Sequence, residues 1–243
     1  MYKEDHTRSL LKMVTWRVSG TLATVVLVFL FTHEPLVALS IGGLEALAKM
    51  ALYFFHERIW DRIKFGRRRV DPVVLWFTGL SGAGKSTLAE KVHAYLAGKG
   101  YAVELLDGDV VRSIFPGTGF SKAERDQHIR RVGFLASMLE KNGVTVVSAF
   151  ISPYRESRDA VRGMCKRFVE IHVDTPLELC ERRDVKGLYR RARAGEIKSF
   201  TGIDDPYEPP ERPELRLSTE GVSVDASVER VLARLRELGH LAP

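Results

Sequence analysis

The sequence predicts an α/β domain with a parallel five-stranded sheet and helices on both faces, preceded by a two-helix transmembrane hairpin. Three observations predict it. From residue 73 onward, apolar runs of strand length alternate with helix-length periods. A glycine-rich turn joins the first of those runs to the helix that follows it. Two long stretches with almost no charge fill residues 18–55. A chain of 243 residues accommodates one ordinary domain and a smaller unit, and the composition divides it at 1–69 and 70–243.

The first apolar stretch, residues 18–32, carries no charge; the second, 35–55, is interrupted only by Glu45 and Lys49. Spanning helices need about 20 residues. The second stretch reaches that length alone, and the first does so by drawing in "MVTWR". Lys and Arg flank the pair on both sides, whereas the connecting "HEP" has none, so both ends face the cytoplasm and the chain sits in the cytoplasmic membrane. Glu45 and Lys49, four apart on one helical face, can pair and lower the cost of lying in hydrocarbon. Residues 8–66 resemble a family of small predicted membrane proteins of unknown function.

Charge locates rather than classifies. Residues 1–70 carry 11 Lys/Arg against 6 Asp/Glu; the remainder carries 26 against 25, which argues against nucleic acid as a partner. Cys165 and Cys180 fall in helix-like segments and read as reduced thiols.

Beyond the basic linker "GRRRVDP", strands are expected at "VVLWFT" (73–78), "AVELLD" (102–107), "VTVVSAF" (144–150), "FVEIHV" (168–173) and, weakly, "GVSVD" near 221. A helix through "HIRRVGFLASMLEKNG" sets Ile129, Val132, Leu135, Ala136 and Leu139 on one face. "TPLE" reads as a capping box with Thr175 at the N-cap, and Asp225 as the cap of the last helix.

The turn "GLSGAGKST" has the spacing of a phosphate-binding loop, with a strand before it and a helix after. Chance would produce that pattern about once in 30,000 positions. Backbone amides of Gly79, Leu80, Ser81, Gly82, Ala83 and Gly84 would cradle phosphate oxygens, with Thr87 closing the loop. Lys85 would reach the β and γ phosphates, and Ser86 would ligate Mg²⁺ held with ATP. The fold is therefore of the P-loop nucleotide-binding type. Such loops serve switches and kinases alike, so the carboxylates decide. Asp107 and Asp109 stand at the end of the second strand, where ligands of open sheets bind. Asp109 is the candidate to take the acceptor's proton and to share the metal with Ser86, and Arg112 lies one turn on. The basic run 182–198 follows the fourth strand and its helix, where small P-loop kinases carry a lid.

Residues 74–241 resemble adenylylsulfate kinases through "GLSGAGKST", "LDGDVVR", "GFSKAERDQHIRRVG", "SAFISPYRESRDAVR" and "VDTPLELCERRDVKGLYRRARAGEIKSFTGIDDPYEPP". The resemblance implies phosphorylation of the 3′-hydroxyl of adenosine 5′-phosphosulfate and a homodimer. It also implies that Phe120 and Phe200 sandwich the acceptor's adenine and that Arg112 and Arg125 hold its phosphosulfate. Ile151 and Ser152 would line the pocket, with Ser152 the serine traditionally marked as a phosphorylated intermediate. Direct transfer between two bound nucleotides needs no such intermediate. Lys186, Gly187 and Leu188 would be lid-side contacts. Where relatives commonly read "ENIRR" this chain reads "QHIRR", so His128 stands at a candidate substrate contact. There it would either donate the same hydrogen bond or make affinity pH-dependent. Another P-loop small-molecule kinase and a membrane-tethered nucleotide switch are the rival readings.

Overall fold

The computed structural model describes residues 3–4, 7, 10–16, 18–20, 23, 37–63, 67–68, 71–115 and 119–241. The chain divides into two compact units, Met1–Arg69 and Val70–Pro243.

In the first unit, β1 (Lys3–Glu4) pairs antiparallel with β2 (Arg67–Arg68), and α1 runs from Val37 to Arg62. The second expected span therefore forms one helix that continues through Glu57, Arg58, Asp61 and Arg62. No helix among the described residues is long and apolar enough to cross a membrane. The transmembrane hairpin is corrected to that extent. The first expected span lies mostly outside the described residues, as does the side chain of Glu45. Trp16 meets Tyr53 edge-on at 5.2 Å, and Trp60 Nε1 donates to His56 Nε2 at 3.1 Å. Leu10, Met13, Val14, Val18, Phe54, Phe55 and Ile59 are each more than half exposed.

The second unit is built on β3 (Val74–Thr78), β4 (Val103–Asp107), β5 (Thr145–Ala149), β6 (Phe168–Val173) and β7 (Leu215–Leu217). All pairings are parallel, in the order β4-β5-β3-β6-β7. Alternation along β3 divides the core. Leu75 and Phe77 face α2 (Lys85–Gly98) and α8 (Val224–Glu237) through Leu88, Val92, Leu96, Val231, Leu232 and Leu235. Val74 and Trp76 face α4 (Lys122–Lys141) and α5 (Arg155–Met164) through Ile129, Val132, Ala136 and Val161. Both faces of the sheet are thus covered, which is why its inner strands read as unbroken apolar runs. A Cβ on Gly133 would fall 2.5 Å from Val161 Cγ2, so glycine sets the approach of α4 to α5.

Between these lie α3 (Gly108–Ile114), α6 (Leu177–Arg183) and α7 (Leu188–Arg193). Four local expectations change. The fifth strand is "LRL" at 215–217, because Ser223 accepts from the Ala226 amide and starts α8 inside "GVSVD". Asp225 lies in the first turn of α8 and pairs with Lys91 at 2.7 Å. Thr175 caps nothing: α6 starts after Pro176, and the Thr175 hydroxyl donates to Ala83 O at 3.2 Å. Leu135, expected in the core, is 37% exposed. Cys165 and Cys180 are both free thiols, Cys180 buried and Cys165 half-buried.

His172 in β6 is buried and stacks on Tyr207 at 5.8 Å; burial first, with Arg216 and Arg158 adding, lowers its pKa to about 4 against the pull of Asp174. The unfolded chain protonates near 6.5 and the native chain only near 4. Stability that is complete above pH 6.5 therefore falls as pH drops through that interval, by roughly 3 kcal/mol in full. Urea unfolding at about pH 7 and about pH 5 should show the loss. His172→Phe, which keeps the stacking, should shrink the difference by about 2 kcal/mol.

Candidate active site

The site lies at the carboxyl ends of β3, β4 and β5. Gly79 ends β3 with φ +150, and a Cβ there would sit 2.5 Å from the Val173 carbonyl oxygen, so only glycine lets the loop leave the sheet at this point. Gly84, with φ +100, starts α2. Four consecutive loop carbonyls accept from side chains: Leu80 O from Lys85 Nζ at 2.8 Å, Ser81 O from Tyr189 Oη at 2.9 Å, Gly82 O from Arg183 Nη1 at 3.3 Å, and Ala83 O from Thr219 Oγ1 at 3.1 Å. Carbonyls held from outside leave the concave side of the turn to its amides, an anion-binding arrangement. Lys85 is 8% exposed, and burial lowers its ammonium to about 8.

Ser86 Oγ donates to Asp107 Oδ2 at 3.0 Å, and Asp107 Oδ1 accepts from the Asp109 amide at 2.9 Å. Asp107 thus caps α3 and stands beside the serine. Asp109, expected there, instead pairs through its carboxylate with Lys186 of the lid segment, and both side chains are mostly exposed. The carboxylate adjoining Ser86 is therefore Asp107, a residue seen in the sequence but not given that position. Gly187, at φ +65, and Leu188 begin α7 behind Lys186.

On the other side, Arg112 lies over the Phe120 ring at 4.5 Å and donates to Gly119 O at 3.1 Å. Burial first, and then the neighbouring Arg125, lower its pKa. Arg125 is 8% exposed. Its Nε donates to Phe120 O at 2.8 Å, Nη1 to Thr201 Oγ1 and Asp205, and Nη2 to Ser199 O. The guanidinium thereby ties the backbone at Phe120 to that around Phe200. Phe120 is 57% exposed, whereas Phe200 is buried edge-on against Tyr189 at 5.0 Å. His128 is buried between Phe115 and Phe150.

Ser152, at φ +39, is 2% exposed. Its hydroxyl accepts from Trp76 Nε1 at 3.1 Å and donates to Thr78 Oγ1 at 3.0 Å. Thr78 commits its own proton to Ile151 O at 2.8 Å, so Tyr207 is the donor in its 3.0 Å contact with Thr78. Arg158 anchors this segment with bonds to Ser152 O at 2.6 Å, Glu208 O at 2.7 Å and Glu170 Oε1 at 2.8 Å. The expected catalytic Ser152 is thus a buried, doubly bonded hydroxyl. Arg158, Tyr189, Arg183 and Thr219 carried no sequence signal beyond the basic run around Arg183, since each reaches the site only through the packed fold.

A phosphate loop at the end of a parallel sheet, a carboxylate pair where β4 runs into α3, and a basic lid define a P-loop kinase of small molecules. Residues 71–218 match the family described as adenylylsulphate kinase, and residues 10–61 match "Predicted membrane protein (DUF2061)". The chain is 56% identical over 170 residues to the adenylyl-sulfate kinase of Microcystis aeruginosa, covering 70% of this chain and 94% of that one. Over 175 residues it is 51% identical to the enzyme of Halothermothrix orenii, covering 72% and 95%. Among solved structures, the Mycobacterium tuberculosis APS kinase CysC in complex with AMPPNP and APS superposes with TM-score 0.66 at 43% identity, covering 68% of this chain and 98% of that one. A hexameric APS kinase from Thiobacillus denitrificans gives TM-score 0.56 at 38% identity, covering 74% and 31%. The chain belongs to the adenylylsulphate kinase family.

The buried Arg158–Glu170 pair, with side chains 2% and 7% exposed, yields a direct test. Arg158→Ala should cost about 3–5 kcal/mol, because it leaves Glu170 with Arg162 alone and strips Ser152 O and Glu208 O of their buried donor. Arg155→Ala, which removes an exposed pair with Glu211, should cost at most about 1 kcal/mol in the same denaturation series.

Proposed function

We propose that the chain transfers the γ-phosphoryl group of ATP to the 3′-hydroxyl of adenylyl sulfate, giving 3′-phosphoadenylyl sulfate and ADP. One observation carries the reading: 56% identity along 94% of an adenylyl-sulfate kinase. The site chemistry described above agrees with it.

The loop amides of residues 79–87 bind the β and γ phosphates, and Lys85 adds a point charge. Its depressed pKa rises again beside phosphate, so the ammonium stays charged when it is needed. Ser86 and Asp107, 3.0 Å apart, present a hydroxyl and a carboxylate oxygen suited to Mg²⁺. When bound, the ion neutralises charge developing on the β and γ oxygens.

Asp109 takes the 3′-hydroxyl proton as the acceptor attacks. To do so it must first exchange Lys186 for the acceptor. The cost is small, because an exposed ion pair is worth about 0–1 kcal/mol. Lys186, so released, turns with Gly187 and Leu188 toward the transferring phosphoryl group. Phe120 closes over the adenine opposite Phe200, and Arg125 fixes the two backbones that carry them. Arg112 and the remaining Arg125 N–H face the phosphosulfate, with Ile151 and His128 in the pocket wall. Ser152 holds its loop and carries no phosphoryl group.

The first unit holds the kinase at a membrane. Its family match and its exposed Leu, Val, Ile and Phe side chains support this. A homodimer is the proposed assembly.

The test is product formation by the full chain in detergent, with Mg·ATP and with or without adenylyl sulfate. 3′-Phosphorylated product should require both substrates, fall by at least about 100-fold in Asp109→Ala, and stay within a few-fold in Ser152→Ala. ATP hydrolysis indifferent to adenylyl sulfate would sink the proposal. In a parallel fractionation, the full chain should sediment with membranes; complete recovery in the soluble fraction without detergent would remove the membrane reading.

A further inference from the structure

His128 is 2% exposed, and among the described residues neither Nδ1 nor Nε2 has a hydrogen-bond partner. A neutral imidazole carries one donor and one lone pair, and leaving both unmet costs about 1–3 kcal/mol each. Packing alone does not call for histidine here. Phe115 and Phe150 meet the ring edge-on at 6.3 and 6.1 Å, an apolar cage in which another hydrocarbon ring would rest without that cost.

The cage belongs to the active site. Phe150 precedes Ile151 and lies against Gly108, where a Cβ would fall 3.3 Å from Phe150 Cδ1; Gly108 separates Asp107 from Asp109. Phe115 follows α3, which carries Arg112. The charged groups facing the imidazole are Arg112 from α3 and Arg131 from its own helix. Burial acts first and these two cations next, and together they lower the ring to about 4, so the free protein holds it neutral. An anion seated at Arg112 would offset part of the cationic field that keeps the ring neutral.

We propose that His128 takes up a proton when the anionic phosphosulfate end of the acceptor enters beside Arg112, coupling acceptor binding to protonation. The inference rests on the acceptor reading given above. The proton comes from solvent, forms the second ring N–H, and returns to solvent when the product leaves. The imidazolium then donates to the acceptor, and the orphaned ring has a partner only in the complex. Because the bound ring is more basic than the free one, acceptor affinity falls as pH rises between the two pKa values, by up to about tenfold per unit.

Calorimetric titration of the full chain with adenylyl sulfate near pH 6, in two buffers of different ionisation enthalpy, measures the proton directly. Wild type should show buffer-dependent heat corresponding to uptake approaching one proton, and its Kd should weaken between about pH 6 and about pH 8. The acceptor's phosphosulfate stays fully ionised throughout. His128→Asn should bind without proton uptake and with a flat pH profile. His128→Phe fills the cage, and its thermal midpoint shows whether the ring's packing, rather than its nitrogens, is what the fold needs. Heat independent of buffer in wild type, or equal uptake in His128→Asn, would overturn the inference. If both variants unfold, the wild-type buffer dependence alone still decides. Turnover that requires adenylyl sulfate, run alongside, separates this failure from failure of the functional reading.

Discussion

The chemistry of this chain hangs from one close approach at the end of β3, where Gly79 turns beside the Val173 carbonyl with no room for a Cβ. Because β3 is the central strand, bonded on one side to β5 and on the other to β6, that turn is held by both neighbours. The phosphate loop leaves the sheet next to the segment after β5 that carries Ile151 and Ser152, and β4 brings Asp107 one strand further out. Any side chain at position 79 would push the loop off β6 and separate the phosphate cradle from the carboxylates that serve it.

The interactions around that loop fall into two grades. Groups that fix the backbone are buried and multiply bonded: Arg125 joins two loops, and Arg158 joins two segments to Glu170. Groups that would have to move are exposed and singly paired, as Lys186 and Asp109 are. A buried charge stripped of its partner costs several kcal/mol, whereas an exposed pair costs almost nothing to exchange. Rigidity and mobility are thus assigned by burial, residue by residue.

Much of the fold was legible because the inner strands are covered on both faces and read as continuous apolar runs. "LRL" was not legible, since a three-residue edge strand with an arginine in it has no period to detect. "TPLE" misled for a physical reason: Thr175 has a carbonyl of the phosphate loop within reach, and tertiary contact outbid the local cap. The spacing of "DGD" announced a carboxylate pair, but which of the two faces Ser86 depends on Asp107 capping α3 while Asp109 points toward the lid. The sequence marks position 128 as unusual; that both ring nitrogens are left without partners among the described residues is a property of packing alone.

Trp76 is the only tryptophan in residues 70–243, and its indole is fully buried, stacked on Phe150 at 5.4 Å and bonded to Ser152. The kinase unit therefore contains a single indole, wired to the segment that lines the acceptor pocket. Shifts in its emission would register strain in that segment as a colour change, with no label attached and no reaction running. Replacing Trp16 and Trp60 would leave that indole as the chain's sole optical witness to its own active site.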